Sequence, residues 1–282
     1  MKFNQPTSEV YVWDGVAAPE ALKRSTHLGI CAHQDDLEIL AMHGILECFH
    51  KPGNGFCGVV VTDGAGSARD FEYAEYTDEQ MKDVRRVEQK KAAFVGEFSA
   101  MVLLNHPSKT VKSASEKIVI EDLVRVLEAT QPEVVYTHNL ADKHDTHIAV
   151  VLRTIAALRA LPKAARPKKV IGCEVWRDLD WLNDELKVAM DVSRHENLQA
   201  ALLGVFDSQI AGGKRYDLAA LGRRKAHATF SESHGVDTHQ GLIYGMDLTP
   251  LLDDASLDPA DRAASLIESF KNDVVARLKK LG

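Results

Sequence analysis

An alternation constrains this chain more than any other feature: between residues 27 and 161, short apolar runs take turns with longer amphipathic stretches. His27-Leu28-Gly29-Ile30-Cys31-Ala32 and Cys57 to Thr62, the latter centred on Val59-Val60-Val61, read as buried strands. Met101 to Leu104 and Val134 to Thr137, which follows Pro132, read as two more. Leu37 to Phe49, Asp78 to Gly96, Ser115 to Ala129 and Thr146 to Leu161 read as helices, the second with Val84, Val87 and Phe94 among its apolar positions. Strands and helices alternating in this way imply parallel βαβ units, hence an α/β chain with an open, mostly parallel, doubly wound sheet and helices on both faces. Beyond Pro162, Val170 to Val175 and Val188 to Val192 read as strands, and Glu196 to Phe206 and Leu218 to Thr229 as helices. No repeat or low-complexity linker divides the chain, so residues 1–282 are read as one domain, with a basic connection at Lys163 to Lys169.

Composition narrows the function classes. A chain of 282 residues, 45% hydrophobic and 27% charged, can build its core without staples. The net charge of −7 argues against a nucleic-acid or anionic-membrane partner. No apolar run is long enough for membrane insertion, and Met1-Lys2-Phe3-Asn4-Gln5-Pro6 shows no signal-peptide pattern. Cys31, Cys48, Cys57 and Cys173 lack CxxC spacing and read as reduced, buried thiols of a cytoplasmic protein.

Two polar clusters fall beyond the carboxyl ends of strands, where open α/β sheets bind ligands. Ala32-His33-Gln34-Asp35-Asp36-Leu37-Glu38 follows the first strand, and Asp142-Lys143-His144-Asp145-Thr146-His147 follows the fourth. Both lie on the same edge of the inferred sheet, so they can converge. Two imidazoles and one carboxylate make a site for Zn²⁺ with a position left for water, and a neighbouring free carboxylate can take that water's proton. Asp35 and Asp36 fit such a division of labour. His144 and His147 share a face if the helix has begun, so one can bind metal while the other donates to an oxyanion or a leaving amine. Each cluster has a plainer reading as a helix N-terminus, because Asp is favoured there. Their joint placement favours metal.

With these motifs in hand, the chain resembles the PIG-L and LmbE-like family of metal-dependent N-acetylglucosamine deacetylases. The first signature, Ala-His-Pro-Asp-Asp with a Glu shortly after, is matched by Ala32-His33-Gln34-Asp35-Asp36-Leu37-Glu38, and the second, His-x-Asp-His, by His144-Asp145-Thr146-His147. Thr62-Asp63-Gly64 matches a Thr-x-Gly loop, Arg85-Arg86-Val87-Glu88 an Arg-x-x-Glu helix, and Ser208-Gln209 a Ser-Gln pair. The similarity spans roughly residues 27 to 210, leaving 211–282 as a C-terminal extension. It implies a Rossmann-like fold and zinc held by His33, Asp36 and His147, with Fe²⁺ as an alternative ion. Asp35 would be the general base and His144 the acid or oxyanion partner. Arg85 and Asp63 would contact a small amino-sugar substrate, from which an acetyl group is removed. Two departures stand out: Gln34 replaces Pro, and Thr146 replaces the Asp that orients the neighbouring His, a task Asp142 or Asp145 could take from another side. Leu40 in place of a helix Gly is expected to alter packing only.

Other residues read as bland. His43 and His50 are assigned to surface or packing, and His227, His234 and His239 to a polar stretch around Thr229 to Gly241 rather than a second metal site or lid. Asp63-Gly64-Ala65-Gly66 lacks the order of a phosphate-binding fingerprint. Trp176 and Trp181 could stack on a sugar ring or simply pack. The competing functions are a non-catalytic sugar-binding or regulatory protein on the same scaffold, and an amidase acting on a larger amino-sugar conjugate; a homo-oligomer is compatible with either.

Overall fold

The computed structural model describes residues 1–229 and 234–282. In chain order the first part runs β1 (Glu9–Tyr11), α1 (Ala18–Lys23), β2 (His27–Cys31), α2 (Asp36–Leu40), α3 (Met42–Cys48), β3 (Phe56–Thr62), α4 (Asp78–Val95), β4 (Ala100–His106), α5 (Ser108–Lys112), α6 (Ile118–Thr130), β5 (Val134–His138) and α7 (Asp145–Ala160). It continues with β6 (Lys169–Cys173), β7 (Lys187–Asp191), α8 (Glu196–Gly204), α9 (Asp207–Ile210), α10 (Tyr216–Thr229), β8 (Leu242–Asp247), α11 (Pro250–Asp253) and α12 (Pro259–Leu281). The strands form one sheet in the order β1-β4-β3-β2-β5-β6-β8-β7. Its centre, β4 through β6, is parallel, while β1, β8 and β7 are antiparallel additions at the edges. The open α/β architecture expected from the alternation is therefore present.

The parallel strands are apolar on both faces because helices cover both. Leu28, Ile30, Val59, Val61, Val102 and Leu104 meet Leu123, Val126, Val150 and Ile155 of α6 and α7 on one side. On the other, Cys31, Val60, Leu103 and Tyr136 meet Leu37, Ile45, Ala92 and Leu202. Gly29 sets how closely α2 lies on β2: a methyl group there would stand 2.7 Å from a Leu37 methyl and 2.8 Å from the Phe56 ring. The successor of β2 in sequence, β3, lies on one side of it and β5 on the other, with Leu28 level with both Cys57 and Val135. The chain thus reverses its direction of travel at β2, which opens a crevice at the carboxyl ends of β2 and β5.

Three features depart from expectation. The helix expected from Leu37 to Phe49 is broken at Ala41 (φ −107°, ψ 15°), so α2 is a single short turn that serves the residues before it. In α4 the apolar face is not where the pattern put it: Val87 and Phe94 are each 56% exposed, while Arg85, Glu88 and Gln89 are buried with Met81 and Ala92. That helix turns a polar side inward because it buttresses a site. Finally, the extension after residue 210 supplies β8 to the sheet and ends in the 23-residue α12, whose start is marked by Pro259 and by the Asp258 carboxylate accepting the Ala260 N–H. No described helix is long and apolar enough to cross a membrane.

Candidate metal centre and active site

The first cluster is shaped where β2 leaves the sheet. The Ala32 N–H donates to His138 Nε2 (2.9 Å), and the Ala32 carbonyl accepts from the Thr62 hydroxyl (2.8 Å), so the turn is pinned to both neighbouring strands. Asp35 then adopts φ +96°, a conformation that costs a non-glycine residue about 1–3 kcal/mol. The kink separates two adjacent carboxylates: Asp36 opens α2 and turns back toward His33, whose N–H it accepts at 2.7 Å, whereas Asp35 faces α4. Gly64, at φ +79°, passes so close that a Cβ would lie 2.8 Å from Gln34 Oε1.

The second cluster begins where β5 ends. Asp142 accepts the His144 N–H (2.9 Å) and the Trp176 N–H (3.1 Å), which fixes the loop ahead of α7. His144 is the N-cap of α7, its Nδ1 accepting the Thr146 N–H at 3.3 Å. An Nδ1 that accepts leaves the neutral ring's proton on Nε2. With Nδ1 engaged in this way, His144 presents Nε2 to the cleft as a hydrogen-bond donor, and its ring also stands within ligand reach of His33 and His147.

These two loops meet. His33 Nδ1 lies 3.2 Å from His147 Nε2 and 3.2 Å from Asp36 Oδ2, and His147 Nε2 lies 3.4 Å from the same oxygen. A tetrahedral ion with bonds near 2.0–2.1 Å places its ligands roughly 3.3 Å apart, so the donor set fits zinc or a similar divalent cation in both chemistry and spacing. Asp142 Oδ2 stands 3.4 Å from His147 Nδ1, the position from which a carboxylate fixes a ligating imidazole. Asp142 thus supports His147, not His144, while Asp145 is exposed and touches neither. Burial alone would raise the Asp36 carboxyl, but His147, His33 and His138 outweigh it and hold it well below the usual carboxylate range. Burial works against charge on His147 as well; Asp36 and Asp142 prevail and raise it.

Asp35 is held apart from the triad. Arg85 Nη2 donates to its Oδ2 at 2.8 Å and to the Gln34 carbonyl, while Nη1 donates to Glu88 (3.1 Å) and Ser208 (3.2 Å). Burial raises Asp35 to about 7, against the pull of the Arg85 guanidinium. Arg85, 1% exposed, borders the cleft but has its guanidinium engaged by the protein. Burial, reinforced by the imidazoles of His147 and His33, drops His144 to about 4, so it is neutral at physiological pH.

A cleft of about 610 Å³ opens over the centre, bordered by His33, Asp35, Asp36, His144, Thr146 and Trp176 among others. Five of the seven residues singled out in the sequence (His33, Asp35, Asp36, His144 and Arg85) border it, and His147 lies beneath them, fully buried. Asp63 does not: it accepts the Ala65 N–H and faces Lys82 at 3.5 Å. His43 bonds the Tyr136 hydroxyl, exposed His50 faces Glu97, and Trp181 packs on Phe270. His227 sits within α10, buried against Glu174 at 3.0 Å, while His234 and His239 are exposed; residues 230–233 of that stretch lie outside the described residues. Sequence reasoning passed over His138, stacked 3.9 Å from the His147 ring, and Gln89, which accepts the Asp35 N–H (3.3 Å) while donating to buried Glu38 (2.9 Å). A histidine ending a strand at the switch point was the available signal for the first.

Comparison with known proteins agrees with this geometry. Residues 28–158 match the family model PIG-L, described as GlcNAc-PI de-N-acetylase. No curated protein matches the sequence. Among solved structures, the 4-carboxy-2-hydroxymuconate hydratase GalB from Pseudomonas putida KT2440 superposes with a TM-score of 0.59 at 19% identity, covering 79% of this chain and 96% of that one. N,N'-diacetylchitobiose deacetylase from Pyrococcus horikoshii gives 0.58 at 18% identity, covering 77% and 82%. The A40926 pseudoaglycone deacetylase Dbv21 gives 0.57 at 15% identity, covering 80% and 98%. At these identities the structures share a fold with this chain, and the match to the PIG-L model is carried by residues 28–158.

Proposed function

We propose that this protein is a metal-dependent hydrolase that removes the acetyl group from an N-acetylated amino sugar, with zinc as the ion and ferrous iron as the alternative. One observation carries the reading: a triad of donor atoms 3.2–3.4 Å apart stands beside a carboxylate, Asp35, that is not one of the donors. The PIG-L match over residues 28–158 supports the choice of substrate. When bound at His33, Asp36 and His147, a divalent ion supplies Lewis acidity, acidifying water and polarising an amide carbonyl. Asp35 takes the proton from the attacking water, since it titrates near neutrality and is aimed by Arg85. His144 donates from Nε2 to the oxyanion as the tetrahedral carbon forms, and Asp35 returns its proton to the departing nitrogen. Acetate and a free amine result. A cytoplasmic setting belongs to the same proposal, supported by four buried, unpaired cysteines.

The test is metal analysis together with acetate release from a panel of N-acetyl sugars. His147→Ala should lose both the ion and turnover, because the ring supplies one of three donors and the anchor for Asp142. Full activity in metal-stripped protein would overturn the proposal.

The pH profile gives a second check. Asp35 must be ionised to accept a proton, so kcat/KM should rise with pH along an acid limb at or below about 7, a nearby cation favouring the ionised form. His144, neutral above about 4, contributes no alkaline limb. A bell falling at neutral pH would restore it as a protonated acid.

A second reading rests on the hydratase among the structural neighbours: addition of water to an unsaturated carboxylate on the same centre. Loss of ultraviolet absorbance from such a compound, without acetate release from any amide, would favour it.

A further inference from the structure

The mouth of the cleft carries charge that the proposed reaction does not use. Lys112 at the end of α5, Lys214 before α10 and Arg223 within α10 all border it. Among the described residues, the only carboxylates on its wall are Asp35 and Asp36, one engaged by Arg85 and the other facing the imidazoles. Among the described residues, none of these three cations has a carboxylate within 4.0 Å, unlike nearby Arg215, paired with Asp217, and Lys82, paired with Glu79. On a chain whose net charge is −7, three unmatched cations gathered on one opening stand out. Two of them are also anchored. Arg223 donates from Nη1 to the Val175 carbonyl at 2.7 Å, and the Lys214 ammonium lies 5.3 Å from the centre of the Trp176 ring, itself part of the wall. Such anchoring lowers the side-chain entropy lost when an anion is gripped.

We infer that the cleft selects N-acylated amino sugars bearing an anionic substituent, a carboxylate or a phosphate, which Lys112, Lys214 and Arg223 receive. This rests on the deacetylase reading of the same site and adds the substrate's charge to it. A neutral sugar would leave these cations uncompensated in a partly enclosed opening, whereas an anion held at the mouth fixes the orientation of the acetamide over the triad.

The experiment compares N-acetylglucosamine with N-acetylglucosamine 6-phosphate and with N-acetylmuramic acid, whose lactyl group is a carboxylate. At low ionic strength, kcat/KM for at least one anionic sugar should exceed that for the neutral one by about tenfold or more, and the ratio should shrink as salt rises. Lys214→Met and Arg223→Met should each lower the ratio several-fold, roughly up to tenfold. Using the ratio excludes damage to the centre, which would reduce all substrates together. Which anion gains names the source, phosphate or carboxylate. A ratio near one, or a ratio the variants leave unmoved, overturns the inference while leaving the deacetylase standing. If no sugar releases acetate, the deacetylase reading falls, and dissociation constants of the three sugars for metal-loaded Asp35→Asn protein decide the charge preference separately.

Discussion

Asp35→Asn should retain the metal and the fold while losing turnover by about 10²- to 10⁴-fold, the usual worth of a positioned proton acceptor. Asparagine is the informative replacement. It tolerates the positive φ of +96° and keeps an oxygen for the Arg85 bond, so that only the ability to take a proton is removed. Measuring bound metal, thermal stability and kcat on the same preparation separates the outcomes. A variant within tenfold of the parent would remove Asp35 from the base role. Loss of metal along with turnover would instead place it among the ligands, against the present geometry, in which the three donor atoms come from His33, Asp36 and His147.

The parallel core and the meeting of the two loops were legible from the chain because both follow from local rules. Continuous apolar runs such as Val59-Val60-Val61 identify strands buried on both faces, and residues that follow parallel strands must emerge on one edge. The edges of the sheet were less legible. With three residues, β1 has too little pattern to register, and β8 becomes recognisable only through its antiparallel partners, Gly172 opposite Met246 and Ala189 opposite Tyr244. The orientation of α4 was misread for a different reason. Val87 and Phe94 suggested an apolar face by type, yet Arg85, Glu88 and Gln89 are inward because their partners, Asp35, Ser208 and Glu38, come from elsewhere in the chain. A polar network of long sequence separation leaves no periodic trace. The same holds for the second motif, where Thr146 stands in for a carboxylate: nothing local reveals that Asp142 aligns His147 while His144 caps the helix through Nδ1.

That hidden network makes Arg85 the second test. Its guanidinium is buried and meets Asp35, Glu88, the Ser208 hydroxyl and the Gln34 carbonyl, so Arg85→Met would strand two buried carboxylates. Removing one partner of such a set costs about 3–5 kcal/mol, which urea denaturation would register as a lower midpoint. Arg85→Lys retains a charge but not the planar fork, and cannot serve Asp35 and Glu88 with the same geometry. Stability alone would leave the residue a mere brace, so the pH profile supplies the distinguishing readout. Burial pushes the Asp35 carboxyl up and Arg85 pulls it down. Weakening that pull in Arg85→Lys should therefore move the acid limb of kcat/KM toward higher pH, so that activity lost at pH 6 is partly regained at pH 8. An unmoved limb in a folded variant would mean that Arg85 holds the scaffold without positioning the base. A limb displaced upward would show the guanidinium acting through Asp35, as a positioning residue for the proton transfer.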